Sequence, residues 1–96
     1  MKVIYKYPLD IRHHQEIEMP SGSEILTVQS QGEMGCLWAM IDTEKEIKEM
    51  RIISVVGTGH EVPPDCVKYI GTFQMAGGAL IWHVFETSPH KETNNE

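Results

Sequence analysis

Apolar and polar residues alternate along much of this chain with a period of two, the mark of strands with one buried face. In residues 2–9, Val3, Tyr5 and Tyr7 fall on one side and Lys2, Ile4 and Lys6 on the other, and Pro8 marks an edge or the end of pairing. Residues 14–19 set Ile17 and Met19 against Glu16 and Glu18. Residues 24–31 mix Ile25, Leu26 and Val28 with Thr27, Gln29 and Ser30. Turn-forming residues stand between these segments: Asp10 to His13, Pro20-Ser21-Gly22-Ser23 and Gly32-Glu33-Met34-Gly35.

Further along, alternation gives way to runs that are apolar on both faces, at 36–41, 52–56 and 79–85. Residues 50–56 are rich in β-branched side chains and 69–75 read as another strand. The charged segment Asp42 to Glu49 is too short for a stable helix and reads as a solvated hairpin loop or one helical turn. Gly57 to Asp65 forms a long connection, and Ala76-Gly77-Gly78 reads as a tight hairpin turn. The pattern predicts an all-β domain over 1–87, about seven short and mostly antiparallel strands in a small sandwich or barrel. Residues 88–96 are polar and predict a flexible, disordered tail. Three doubly apolar strands exceed what one thin core can bury, which predicts a homo-oligomer.

Size and charge narrow the partners. A chain of 96 residues is one domain's worth. Net charge is −6, from 8 basic and 14 acidic residues, which argues against duplex nucleic acid but not against a small anion. No apolar run reaches the ~20 residues of a membrane-spanning helix. Lysines interrupt the apolar residues at the N-terminus, so it does not read as a signal peptide, and a cytoplasmic location is the expectation. Cys36 and Cys66 read as reduced thiols, and without a Cys-x-x-Cys pair no structural zinc or other cofactor is expected.

No nucleophile signature stands out. Ser54 or Thr58 with His60 and Asp65 match no hydrolase spacing, so the chain does not read as an enzyme. His13 and His14 are adjacent and face opposite ways in a strand. A metal site from His60, His83 and Glu86 is conceivable, but His83 reads first as a hydrogen-bonded core or interface residue. The Gly57-Thr58-Gly59-His60 turn is the most distinctive stretch. Its glycines allow close backbone approach, and exposed amides in such a turn hold anions. The plain alternative is a strand-ending turn. Arg51, in an otherwise apolar strand, reads as an outward strand residue or as a clamp on phosphate or carboxylate. Tyr7 and Trp38, with Tyr5, Tyr69 and Trp82, are either core residues or platforms for a nucleobase.

Lys6-Tyr7-Pro8-Leu9, Met19-Pro20, Cys36-Leu37-Trp38-Ala39, Gly57-Thr58-Gly59-His60, Tyr69-Ile70-Gly71-Thr72-Phe73 and His83-Val84-Phe85-Glu86 are found in this chain. As a set they resemble a small domain family of phage and prophage genomes whose function is unknown. The resemblance implies a phage accessory protein acting in the host cytoplasm. It further suggests a non-catalytic sponge that sequesters an anionic ligand, such as a cyclic dinucleotide signal of CBASS immunity. On that reading Arg51, Gly57, Thr58, Gly59, His60, Tyr7 and Trp38 form the ligand site. The alternative is a protein–protein interaction module, an inhibitor or assembly factor, with no small-molecule ligand.

Overall fold

A computed structural model describes residues 1–87. The predicted tail at 88–96 lies outside the described residues. Seven strands follow one another: β1 (Lys2–Pro8), β2 (Gln15–Pro20), β3 (Glu24–Gln31), β4 (Met34–Asp42), β5 (Lys48–Gly57), β6 (Cys66–Met75) and β7 (Leu80–Thr87). They form a sandwich of a three-stranded sheet, β1-β4-β3, and a four-stranded sheet, β2-β5-β7-β6, with every neighbouring pair antiparallel. No helix among the described residues is long and apolar enough to cross a membrane.

Strand position explains the runs that are apolar on both faces. β4 is central in its sheet, and β5 and β7 are the inner strands of the other. Their inward residues, Leu37, Ala39 and Ile41 facing Ile53, Val55 and Val84, make the core. Full burial of one such aliphatic side chain is worth about 1.5–3 kcal/mol.

The charged segment after Asp42 is neither a hairpin loop nor a helical turn. β4 and β5 belong to different sheets, so it carries the chain across the sandwich, and β5 already begins at Lys48. The expected Ala76-Gly77-Gly78 hairpin turn closes through the Ala79 N–H donating to the Ala76 carbonyl at 3.1 Å, in a left-handed backbone with Ala76 at φ 53°, Gly77 at φ 65° and Gly78 at φ 96°. Ala76 takes this left-handed conformation with its N–H donating to Glu33 Oε1 at 3.0 Å.

The two lateral edges of the sandwich differ. On one side β3 packs against β6. There Gly35 of β4 lies under the Phe73 ring, and a Cβ added at Gly71 would meet Val28 Cγ1 at 2.9 Å. On the other side β1 and β2 leave a cleft.

β5 and β6 run parallel, because each is antiparallel to β7 between them. Residues 58–65 must therefore return along the sheet. They cross its outer face, where Asp65 meets His14 just before β2. This crossing accounts for Ser54 and Val56, outward on β5, being only 0% and 1% exposed.

Candidate functional site

The Gly57-Thr58-Gly59-His60 turn caps β5. Thr58, Gly59 and His60 are exposed and Gly57 is buried. Gly59 sits at φ +87°, which requires glycine there. At Gly57 a Cβ would meet Trp82 Cζ3 at 3.1 Å and His60 Nδ1 at 3.2 Å. The glycines thus serve backbone conformation and close packing. Two of the turn's amides are committed: Thr58 N–H donates to the Ile81 carbonyl at 3.4 Å and His60 N–H to the Gly57 carbonyl at 3.1 Å. The turn and Ala79 to Trp82 border a cavity of about 270 Å³.

A chain of hydrogen bonds runs from this turn across the outer face of the four-stranded sheet. Thr58 Oγ1 lies 2.7 Å from His83 Nε2, and Thr72 Oγ1 lies 3.1 Å from His83 Nδ1. The Tyr69 hydroxyl bonds to Thr72 Oγ1. The Thr58 hydroxyl also lies 3.4 Å from the Ile81 carbonyl, and each ring nitrogen of His83 has a hydroxyl partner in either tautomer. Among the described residues no carboxylate completes the network behind His83. The Tyr69 ring also meets Phe85 edge-on, with centroids 5.5 Å apart.

Arg51 lies on the inward set of β5, in register with Ile17 of β2. Its guanidinium grips Glu86 through Nε (2.5 Å) and the second terminal nitrogen (3.1 Å). The remaining terminal nitrogen donates to the Ser23 carbonyl at 2.8 Å and to Glu49 at 3.0 Å. Four of its five N–H groups are thus engaged. The hydrogen bond and charge of Glu86 hold the guanidinium above its ordinary range, against the opposing effect of burial. Glu86 faces inward and His83 outward, so the metal set of His60, His83 and Glu86 does not converge. No cluster of three metal-ligating side chains occurs among the described residues.

Within one copy, the expected ligand residues are not brought together. Arg51 stands six positions below Gly57, about 20 Å along the strand. Tyr7 faces the cleft between β1 and β2. Trp38 belongs to the opposite, outward set of the three-stranded sheet, in register with Lys6 and Thr27, and its buried indole Nε1 has no hydrogen-bond partner among the described residues.

Two places escaped the sequence reading. One is a cavity of about 590 Å³ beside the crossing, where His14 Nε2 approaches Asp65 at 3.2 Å and Arg12 approaches Asp10 at 3.8 Å. His14 and Asp65 are 51 residues apart, and no local pattern links them. The other is the β1/β2 cleft, where Lys45 and Lys48 join Tyr5 and Tyr7. Lysines within a charged loop read as solvated residues unless the fold returns them to a groove.

The family model for DUF7352 matches residues 1–95, nearly the full chain. The chain belongs to this family, a domain of unknown function. No curated protein and no solved structure matches it. The DUF7352 match extends past β7, so the family's unit includes the polar stretch that follows the sandwich.

Proposed function

We propose that this chain is a non-catalytic protein–protein interaction module that docks on a second copy of itself through the outer face of β7 and β6. One observation carries this reading. The outward set running from Tyr69 and Thr72 on β6 to Ile81, His83 and Phe85 on β7 holds neither carboxylate nor ammonium. Lys68 lies in register with Glu86, in the other set.

Two copies that each carry −6 repel through most of their surfaces. A stretch of strand surface free of charge, beside the crossing segment that carries Glu61 and Asp65, is where they can meet. It is also apolar enough to reward contact: Tyr69 is 56% and Ile81 37% exposed. The internal bonds of His83 satisfy its ring nitrogens, so covering them leaves no unpaired group.

In the phage setting implied by the resemblance, such a protein acts by occupying surface rather than by chemistry. Sequestration of a cyclic dinucleotide at the glycine turn would need a free cation beside it. Arg51 is spent on Glu86 and Glu49, which favours the docking reading. Light scattering at about 10–100 μM, a range that detects micromolar association, tests it. The expected result is an oligomer for the native chain and a monomer for Ile81→Asp. A monomer mass for the native chain throughout that range refutes the reading.

A further inference from the structure

The cleft between β1 and β2 lies at the opposite lateral edge from β6 and takes no part in the docking face. It encloses about 270 Å³. Tyr5 and Tyr7 project from β1, Glu18 lies across on β2, Lys45 comes from the segment that crosses between the sheets, and Lys48 is the first residue of β5.

We propose that this cleft is a binding site for a small aromatic phosphate, a planar ring with a hydrogen-bond donor on it and a phosphate attached, of the nucleoside monophosphate class. Each part of that description answers to a side chain. The tyrosines offer ring faces, and stacking on an aromatic is worth about 1–3 kcal/mol per base. Tyr5 is 50% exposed although it belongs to the inward set of β1, so an apolar ring face stands open in the groove.

Lys45 and Lys48 supply the positive end. Neither forms an ion pair with a described residue, whereas Arg51 and Arg12 both do. Two ammonium groups at one groove, neither in a close ion pair although the charge of Lys45 reaches Asp42, make a point-charge site suited to phosphate. Among the described residues Glu18 is the one acid lining the groove, and it suits a ring amine or hydroxyl as its donor. Burial, and then the neighbouring Tyr5, push the Tyr7 phenol up. It therefore stays protonated and can donate to an anion. The volume sits just under the roughly 300–1,000 Å³ of drug-sized pockets, which suits one ring and one phosphate.

This inference does not depend on the docking reading. The test is a titration of the full chain by amide NMR with adenosine monophosphate, adenosine and inorganic phosphate as separate probes. Adenosine monophosphate is expected to shift the amides of Tyr5, Tyr7, Glu18, Lys45 and Lys48 saturably. Adenosine and inorganic phosphate are each expected to bind at least ~10-fold more weakly, about 1.4 kcal/mol. The Lys45→Ala/Lys48→Ala variant, both changes on the surface, is expected to keep its dispersed spectrum and lose at least ~10-fold in affinity. The proposal is overturned by shifts that do not saturate by about 10 mM or that centre outside the cleft. Equal binding of inorganic phosphate, or undiminished affinity in the double variant, overturns it as well.

Discussion

Replacing Gly35 by alanine probes the stacking of the two sheets more directly than any other single change. Gly35 lies on β4 and the ring over it belongs to Phe73 of β6, in the opposite sheet. A Cβ at position 35 would fall 2.5 Å from Phe73 Cε2 and 2.7 Å from Cε1, and nearer still to Cζ. Carbon atoms rest at about 3.5–4.0 Å, so the ring must retreat by about 1 Å. Phe73 is only 2% exposed, so the ring has to move within the packed core. Overpacking of this kind costs about 1–3 kcal/mol, and the face-on approach to a rigid ring places Gly35→Ala near the upper figure, about 3 kcal/mol. For a domain of this size that lowers Tm by roughly 12–24 °C. Urea denaturation followed by tryptophan fluorescence measures it. Phe73→Leu should be destabilising alone, yet it should recover at least about 1 kcal/mol of the loss in the Gly35→Ala background, a coupling a double-mutant cycle isolates. A cost below about 0.5 kcal/mol for Gly35→Ala, the range of uneventful surface changes, would refute this sheet stacking.

Two further outcomes follow from the charged groups. Arg51→Met leaves Glu86, whose side chain is 16% exposed, facing inward without its partner, and is expected to cost about 3 kcal/mol. Adding Glu86→Leu should restore most of that in the same denaturation assay, and a loss under about 1 kcal/mol in the single variant would contradict the buried clamp. Asp42 is held below the usual carboxylate range, first by the Glu44 N–H and then by the N-terminal ammonium. Its folded-state pKa is the lower one, so its contribution is present above the ordinary value of about 3.9 and fades as pH falls through the folded value. The stability gap between the native chain and Asp42→Asn should therefore hold steady from about pH 7 to 5 and close toward about pH 2. A gap that widens in acid would reverse the assignment.

The strands were legible where one face is solvated. Glu16, Ile17, Glu18 and Met19 announce β2 because alternation is a local property of an edge strand with one wet side. β6 was recognisable only from Tyr69 onward, although it begins at Cys66. Its first residues are interrupted by register shifts at 66/68 and 69/71, which break the period. The side chains that define the candidate sites were far less legible. Arg51 looked free because its partner Glu86 lies 35 residues away, and only the pairing of β5 with β7 brings them together. The Gly57-Thr58-Gly59-His60 turn was visible, but its use was not. The Ile81 carbonyl and His83 that occupy Thr58 arrive on another strand. Lys45 and Lys48 gain significance only once the chain crosses between sheets beside β1.

The position of β7 bears on how the chain is made. It is the last of the described strands in sequence, yet it is inserted between β5 and β6. While the ribosome has delivered only the first six strands, β5 and β6 have no hydrogen-bonding contact with each other. Each then presents an unpaired edge toward the gap, and such edges recruit other chains. Synthesis proceeds at about 5–20 residues per second, so this exposed interval is short but unavoidable. Fragments ending before Leu80 should therefore be sticky and short-lived in a cell, and the four-stranded sheet closes in one late step when its final strand slides home.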